Sequence, residues 1–311
     1  MKQLPKEFIG RTARAILFIG LVIVFCAGVS SAGLLMASRF GLTRSREQVP
    51  LTALSIGKEG SVELPQRGKM IEGDGWKLRN SRDIYTLTLD NAVIESISGG
   101  EEAPLPAISV TGDLNIDLKK GSGNWITSDG PGIRIEAGTL VIRGEGGLEV
   151  RSKGFAIAGS GTNDPLTVCR IEGGDLNITG GDAGIAGAEL ELAGGSGVIA
   201  AEAEHGLGIC VNRLTVEDSV GSLTVRGNGG AAIAAKREPV VPDIKVSDQV
   251  RVSPQDAAVK VLRGTHVPGQ KDSDSDTKYN MKTFTSGETV IKDELTGQYY
   301  VGEREITFEG K

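Results

Sequence analysis

Polar residues recur at one point of a repeating pattern, and they are the side chains of this chain best suited to binding chemistry. The row consists of Asp129, Lys153, Asp182, the neighbours Glu204 and His205, and Asn228. Carboxylates on adjacent repeats can supply the six to eight oxygens that Ca²⁺ takes at 2.3–2.6 Å. The row therefore predicts an edge that binds a polysaccharide, with Asp129 and Asp182 as metal ligands if calcium takes part. The alternative is a row of solvated turn residues.

Aromatic side chains are scarce, which limits the surfaces on which a sugar can stack. The chain has 2 Trp, 4 Tyr and 7 Phe among 311 residues. Sugar rings usually pack on Trp or Tyr because these side chains combine a flat apolar ring with a polar group. Trp125 lies close in sequence to the polar row, and we include it among the predicted ligand-binding residues. The alternative for Trp125 is a core position at a corner of the fold.

Residues for catalysis are few. The chain has two histidines, His205 and His266, and no nucleophile-elbow, phosphate-loop or zinc-binding spacing. Lys153 between two acidic residues is the one arrangement that resembles the basic residue and acids of a polysaccharide lyase. We therefore predict a protein without enzymatic activity and keep a lyase as the minor alternative.

Apolar residues recur in columns, and these columns indicate the elements that carry the polar row. In the first column successive members are 26, 29, 21 and 24 residues apart. The columns are Leu114, Leu140, Cys169, Leu190, Leu214; Ile116, Ile142, Ile171, Leu192, Val216; Val150, Ile178, Ile199, Val225; and Ile133, Ile157, Ile185, Leu207, Ile233. Short apolar alternations separated by glycine-rich turns at such a period are typical of a solenoid. The pattern predicts an all-β parallel β-helix with three strands per coil and about seven coils, from Leu87 to Val259.

The N-terminal region differs from the rest of the chain. Residues 15–37 form an uncharged, largely apolar run that is long enough to span a bilayer as a helix. Four basic residues precede the run and three follow it, which favours a cytoplasmic N-terminus. The alternative is a signal peptide that is cleaved after Ala32. Both interpretations place residues 47–311 outside the cytoplasm, and we predict a single-pass protein of the cell membrane.

Charge is divided between the two parts of the chain. Residues 1–46 carry a net charge of +6. The whole chain has a net charge of −6, so residues 47–311 carry −12. A strongly acidic body disfavours nucleic acid as a partner. It also disfavours an anionic polymer unless a cation bridges the two.

These observations predict five segments. They are a cytoplasmic tail (1–14), a transmembrane signal-anchor helix (15–37), a stalk and N-terminal cap (38–75), the parallel β-helix (76–263), and a polar loop with a C-terminal cap (264–311).

Three stretches of the chain carry a resemblance to a known group. They are GDGWKLRNSRDIYTLTLDNAVIES at 73–96, PAISVTGDLNIDL at 106–118 and DLNITGGDAGIAG at 175–187. Together they resemble the "carbohydrate-binding domain-containing" β-helix proteins on the surfaces of Clostridia and related bacteria. The resemblance implies a right-handed, pectate-lyase-like β-helix without established catalysis and, in some relatives, calcium-dependent polysaccharide binding. The Asp-Asp-Gly-Ile turn of those relatives is kept only in part, at 128–133 and 182–185.

The resulting expectation is a membrane-anchored extracellular protein that binds cell-wall or environmental polysaccharide, with calcium as a possible cofactor. A structural, adhesin or assembly role through contacts with a surface protein is the alternative.

Overall fold

The computed structural model of the protein describes residues 48–97, 104–159, 167–203, 206–228, 232–234, 243–253, 290–292, 299–301 and 305–310. The chain divides into two units, Met1–Gln48 and Val49–Lys311, and the second unit contains the fold below. Within the described ranges no helix is long and apolar enough to cross a membrane. The predicted helix at 15–37 lies outside those ranges, as do Glu204, His205 and Val259.

Antiparallel strands cover the N-terminal end of the solenoid. The strands are β1 (Ala53–Ile56), β2 (Gly60–Ser61), β3 (Met70–Gly73) and β4 (Trp76–Ser81), and a 3₁₀ helix (Gly57–Glu59) joins β1 to β2. Strand β4 pairs with β5 (Ile84–Leu89), and β1 pairs with β7 (Ile108–Thr111). Both partners are first strands of parallel ladders, so this cover protects edges that could otherwise pair with another chain.

The body of the protein is a β-solenoid in which each turn contributes one strand to each of three columns. The first column contains β5, β8 (Leu114–Leu118), β11 (Thr139–Gly144), β14 (Val168–Ile171), the second halves of β16 (Ala183–Leu192) and β18 (Leu207–Val216), and β21 (Asp243–Val246). The second contains β6 (Val93–Ser96), β9 (Gly123–Ser128), β12 (Gly147–Ser152), β15 (Asp175–Gly180), β17 (Ser196–Ala201) and β19 (Ser222–Arg226). The third contains β7, β10 (Ile133–Ala137), β13 (Phe155–Gly159), the first halves of β16 and β18, and β20 (Ile233–Ala234).

The columns confirm the predicted solenoid over about five turns, which are the parallel steps from β6 to β19. At a strand spacing of about 4.8 Å these turns rise about 24 Å. Buried apolar side chains stack in register inside them. The first predicted ladder, from Leu114 to Leu214, is present as written, and so are the second and third.

The fourth predicted ladder is wrong at one rung. Ile133, Ile157 and Ile185 stack as expected, but Ile209 and not Leu207 continues the ladder. Leu207 pairs with Ala183 and is only half-buried, whereas Ile209 is fully buried. Both residues point to the same side of β18 because they are two apart in an extended strand, so the pattern alone did not separate them.

Antiparallel strands also lie on the C-terminal part of the solenoid. Strand β25 (Glu305–Glu309) pairs with β19 and with β22 (Arg251–Ser253), and β24 (Tyr299–Val301) pairs with β20 and with β23 (Val290–Lys292). Phe308 of β25 is fully buried in the common core. The end of the chain therefore folds back onto the sixth strand of the second column.

Candidate functional site

The outer surface of the second column, which we call the tryptophan face, is formed by the outward side chains of β6, β9, β12, β15, β17 and β19. Trp125 projects from β9 onto this face and is 45 % exposed. The alternative of a core position for Trp125 is therefore wrong. Val93 is its cross-strand neighbour on β6 and is 60 % exposed, so the two form a continuous apolar surface.

The inward position of β9 is held by an asparagine, and this residue explains why Trp125 faces outward. Asn124 is 1 % exposed. Its side-chain oxygen accepts a hydrogen bond from the Ala92 backbone N–H at 3.0 Å, and its amide nitrogen donates to the Gly147 carbonyl at 2.9 Å and to Ser122 Oγ at 3.0 Å. A buried amide that is paired in this way carries no desolvation penalty from a missing partner. Asn124 thus fixes the orientation of the strand that presents Trp125.

A shallow hollow of about 200 Å³ lies beside the indole. Gly123, Gly147 and Asp175 stand opposite one another on β9, β12 and β15, and Trp125, Glu149 and Asn177 form the parallel row. The indole lies over Gly123, where an added Cβ would come within 2.9 Å of the ring. At Gly147 an added Cβ would meet nothing closer than 3.6 Å, so this glycine leaves open the floor between Trp125 and Asp175.

The polar groups around the hollow differ in how far they are already satisfied. Arg151 Nε donates to Glu149 Oε1 at 2.7 Å, and Thr179 Oγ1 donates to Asn177 Oδ1 at 3.2 Å. The exposed carboxylate of Asp175 forms no ion pair or side-chain hydrogen bond with the described residues. The hollow therefore combines a flat aromatic surface, one unpaired carboxylate, and polar atoms that retain capacity for further hydrogen bonds.

The predicted turn row is partly assembled. Lys153 Nζ lies 2.7 Å from Asp129 Oδ1, and the Asp129 side chain is only 15 % exposed. The next turn places Gly181, not Asp182, over Lys153, since the Gly181 N–H donates to the Ser152 carbonyl at 2.9 Å. The carboxylate of Asp129 is therefore already compensated by an ammonium group of its own chain.

The two predicted calcium ligands belong to turns that are two steps apart. Two strand spacings are about 9.6 Å, whereas two oxygens on one Ca²⁺ lie within about 5 Å of each other. Asp182 is fixed by its backbone N–H, which donates to the Gly154 carbonyl at 2.9 Å. Over the described ranges, no group of three or more His, Cys, Asp or Glu side chains is placed to hold a metal ion.

The structure separates Trp125 from the other predicted site residues. Asp129 is four residues after Trp125, which corresponds to about 13 Å of extended chain. Asn228 belongs to the turn row and donates from Nδ2 to the Glu202 carbonyl at 2.5 Å. The partners of Trp125 are instead Glu149, Asp175 and Asn177, which sequence reasoning missed as site residues. Alignment of GNWITS, GLEVRS and DLNITG, the sequences of β9, β12 and β15, would have placed them in matching outward positions.

Comparison with known proteins adds no assignment: no family model, curated protein or solved structure matches this chain. The fold defines the class of the protein as a β-solenoid.

Proposed function

We propose that this chain is a non-enzymatic, membrane-anchored β-solenoid of the cell surface that binds polysaccharide through the hollow beside Trp125. The observation that carries the proposal is a half-exposed indole on a flat sheet, next to a glycine floor and bordered by Glu149, Asp175 and Asn177. An exposed aromatic ring beside convergent polar groups is the usual composition of a sugar-binding surface, because the ring packs on sugar C–H groups while the polar atoms bind hydroxyls.

The shape of the site favours a chain-like ligand over a small enclosed molecule. The hollow is smaller than the roughly 300–1,000 Å³ that is usual for small-molecule pockets, and it opens onto a face that continues over several strands. A polymer that lies across these strands would contact Trp125 with one unit and the outward side chains of neighbouring strands with others. Stacking and hydrogen bonds suffice for this contact, so the proposal requires no calcium.

The remaining parts of the proposal concern the chain outside the described ranges. Residues 15–37 anchor the protein as one transmembrane helix, residues 47–311 are extracellular, and the right-handed solenoid extends to about seven coils. Digestion of intact cells with an added protease tests the topology. Loss of the region after residue 47 is expected, and full protection of that region would contradict the proposed orientation.

A glycan array probed with the full-length chain in detergent, with and without calcium, tests the binding function. The chain has only two tryptophans, and Trp76 is 5 % exposed, so a ligand in the hollow should change mainly the fluorescence of Trp125. Trp125→Ala should lower affinity at least about fivefold, since a stacked aromatic contact contributes on the order of 1–3 kcal/mol. Phe155→Ala is the matched control, because Phe155 is 39 % exposed but opens a strand of the third column.

A second variant blocks the hollow without removing any protein contact. Gly147→Val places methyl groups on the open floor, and its Cβ meets only ordinary van der Waals distances. Binding should fall as it does in Trp125→Ala. Binding that survives in both variants would place the glycan site elsewhere on the chain.

A protein partner is the second candidate, and an apolar edge favours it. Ile97, Leu105 and Phe155 are 56 %, 66 % and 39 % exposed near the turns between the second and third columns. If no glycan is retained by the array, cross-linking on cells should compare the native chain with Leu105→Ser. Loss of a cross-linked product in that variant would support the structural or adhesin role.

A further inference from the structure

We infer that the hollow selects a cationic amino sugar, a saccharide with free amino groups, over neutral and acidic saccharides. This inference rests on the proposed function, since it concerns the ligand of the same site. It follows from the two groups on either side of Gly147, from the net charge of residues 47–311, and from the residues that line the hollow.

The two sides of the hollow both attract a cation. The Trp125 indole presents its face on one side, and aromatic faces attract ammonium groups within about 6 Å of the ring centre. The Asp175 carboxylate lies on the other side, one strand beyond Gly147, and it forms no ion pair with the described residues. A sugar ring on the Gly147 floor would place an amino group between these two attractive groups.

The second carboxylate of the hollow does not change this selectivity. Glu149 is already paired with Arg151 at a distance of 2.7 Å. Among the residues that line the hollow there is no Lys, Arg or His. A carboxylated sugar would therefore face Asp175 without a basic residue in the lining, and like charges at such distances repel.

The charge of the whole chain acts in the same direction over longer distances. Residues 47–311 carry a net charge of −12. Such a body raises the local concentration of a cationic polymer and speeds its association, and added salt weakens both effects. This long-range attraction is not specific, so the test must separate it from recognition in the hollow.

Calorimetry on the full-length chain in detergent should compare three oligomers of equal length: glucosamine, N-acetylglucosamine and galacturonic acid. The glucosamine oligomer should bind at least about tenfold more tightly than its acetylated counterpart, which corresponds to about 1.4 kcal/mol. The galacturonic acid oligomer should not bind. Added sodium chloride should reduce the preference for glucosamine and leave the binding of the acetylated oligomer nearly unchanged.

Asp175→Asn should lower the preference to within about twofold and retain binding of the acetylated oligomer. Asp218→Asn is the matched control, because it changes the net charge equally at an exposed turn just before β19, four strands from β9. Trp125→Ala should weaken the binding of both the glucosamine and the N-acetylglucosamine oligomer.

The possible outcomes distinguish a failure of the amino-sugar inference from a failure of the proposed function. Equal affinity for both glucosamine forms overturns this inference and leaves the proposed function standing. A preference that persists in Asp175→Asn, or that Asp218→Asn lowers equally, assigns the effect to general electrostatics and also overturns the inference. Absence of binding to any saccharide overturns the proposed function itself.

Discussion

Two outer faces of the same solenoid use the same backbone in different ways. The arginine face, formed by the outward side chains of the first column, is covered by ion pairs that join successive turns. Arg170 contacts Glu172 at 2.8 Å, Glu191 at 2.7 Å and Glu217 at 2.8 Å. On the tryptophan face, Trp125 is 45 % exposed, and Asp175 forms no ion pair with the described residues. Ion pairs therefore link successive turns on one face, whereas the other is the face on which we propose a ligand site.

The protonation behaviour of the arginine face agrees with this division. Burial by itself would lower the pKa of Arg170, but the hydrogen bonds to its three glutamates together raise that pKa well above the usual range. A hydrogen bond to Asp117 raises the pKa of Arg143 in the same way. Both guanidinium groups are therefore charged at any accessible pH, so the arginines themselves do not act as pH switches.

The largest expected effect comes from the core that both faces share. Ile185→Asp would bury a carboxylate between Ile157 and Ile209 without a partner. The free energy of unfolding should fall by more than about 4 kcal/mol, because an isolated charge in an apolar core is strongly unfavourable. Chemical denaturation followed by circular dichroism measures the loss.

Ile185→Val is the control, with an expected cost of about 1 kcal/mol. Both faces are carried by the strands that this ladder holds together, so unfolding in Ile185→Asp should disrupt both faces together. An unchanged unfolding curve would show that the ladder is assigned wrongly.

The next effect compares the faces directly through matched arginine substitutions. Arg170→Met removes the cation from three glutamates, of which Glu191 is only 12 % exposed, and should lower the free energy of unfolding by about 2 kcal/mol. Arg151→Met on the tryptophan face breaks one exposed pair with Glu149 and should change it by less than about 0.5 kcal/mol. Parallel urea titrations give both values. Equal losses would remove the distinction between the two faces.

Residues of the core show how much of this architecture follows from sequence. Leu140 and Ile142 point inward because they alternate with outward residues, and their partners on adjacent turns share that alternation, so the ladders were predictable. The outward position of Trp125 was not predictable, because the polar residue Asn124 takes the inward position beside it, against the hydrophobic pattern. The hydrogen bonds of the Asn124 amide with Ala92 and Gly147 explain why Asn124 faces inward, and the periodicity of the sequence does not reveal these bonds.

The outward rows were less predictable than the ladders. Asp175 opens a strand of the second column, whereas Glu189 lies in the first column and pairs with Val168, so the two acidic residues belong to different faces. Turn lengths differ between repeats, so a polar residue without a fixed inward neighbour can be assigned to the wrong strand. The Glu189 carboxylate is offset by Arg213 at 3.4 Å.

A pH-dependent change of intermediate size in the free energy of unfolding is expected from Cys169, which faces the core on the strand that carries Arg170. Burial, with a smaller contribution from Glu191, raises the pKa of the Cys169 thiol from 9.0 to about 12. Below pH 9 the thiol is protonated in both states and adds no pH dependence. Between pH 9 and 12 the unfolded chain loses a proton that the folded chain keeps, so folding weakens by up to about 1.4 kcal/mol per pH unit.

Cys169→Ala should flatten this part of the stability profile, although a small cavity lowers its stability at neutral pH. Urea denaturation of both proteins at pH 8, 9 and 10 measures the slopes. The native thiol should also resist a disulfide reagent at pH 8 until the chain unfolds, since the thiolate is the reactive form. Identical slopes in the two proteins would contradict burial of a protonated thiol at this position.

A small effect on stability is expected at the hollow of the tryptophan face, and it tests whether the indole supports the fold. Trp125→Ala removes a side chain that is 45 % exposed, and Gly147→Val adds one where the nearest atom to its Cβ is 3.6 Å away. Neither change disturbs the Asn124 hydrogen bonds or a core ladder. Each should alter the free energy of unfolding by about 1 kcal/mol or less, because substitutions at solvent-facing strand positions span only about 1 kcal/mol and a β-branched residue suits a strand. Urea titration of both variants beside the native chain checks this. A loss above about 2 kcal/mol in Trp125→Ala would mean that the indole supports the fold, and the contrast between a stabilising face and a binding face would then fail.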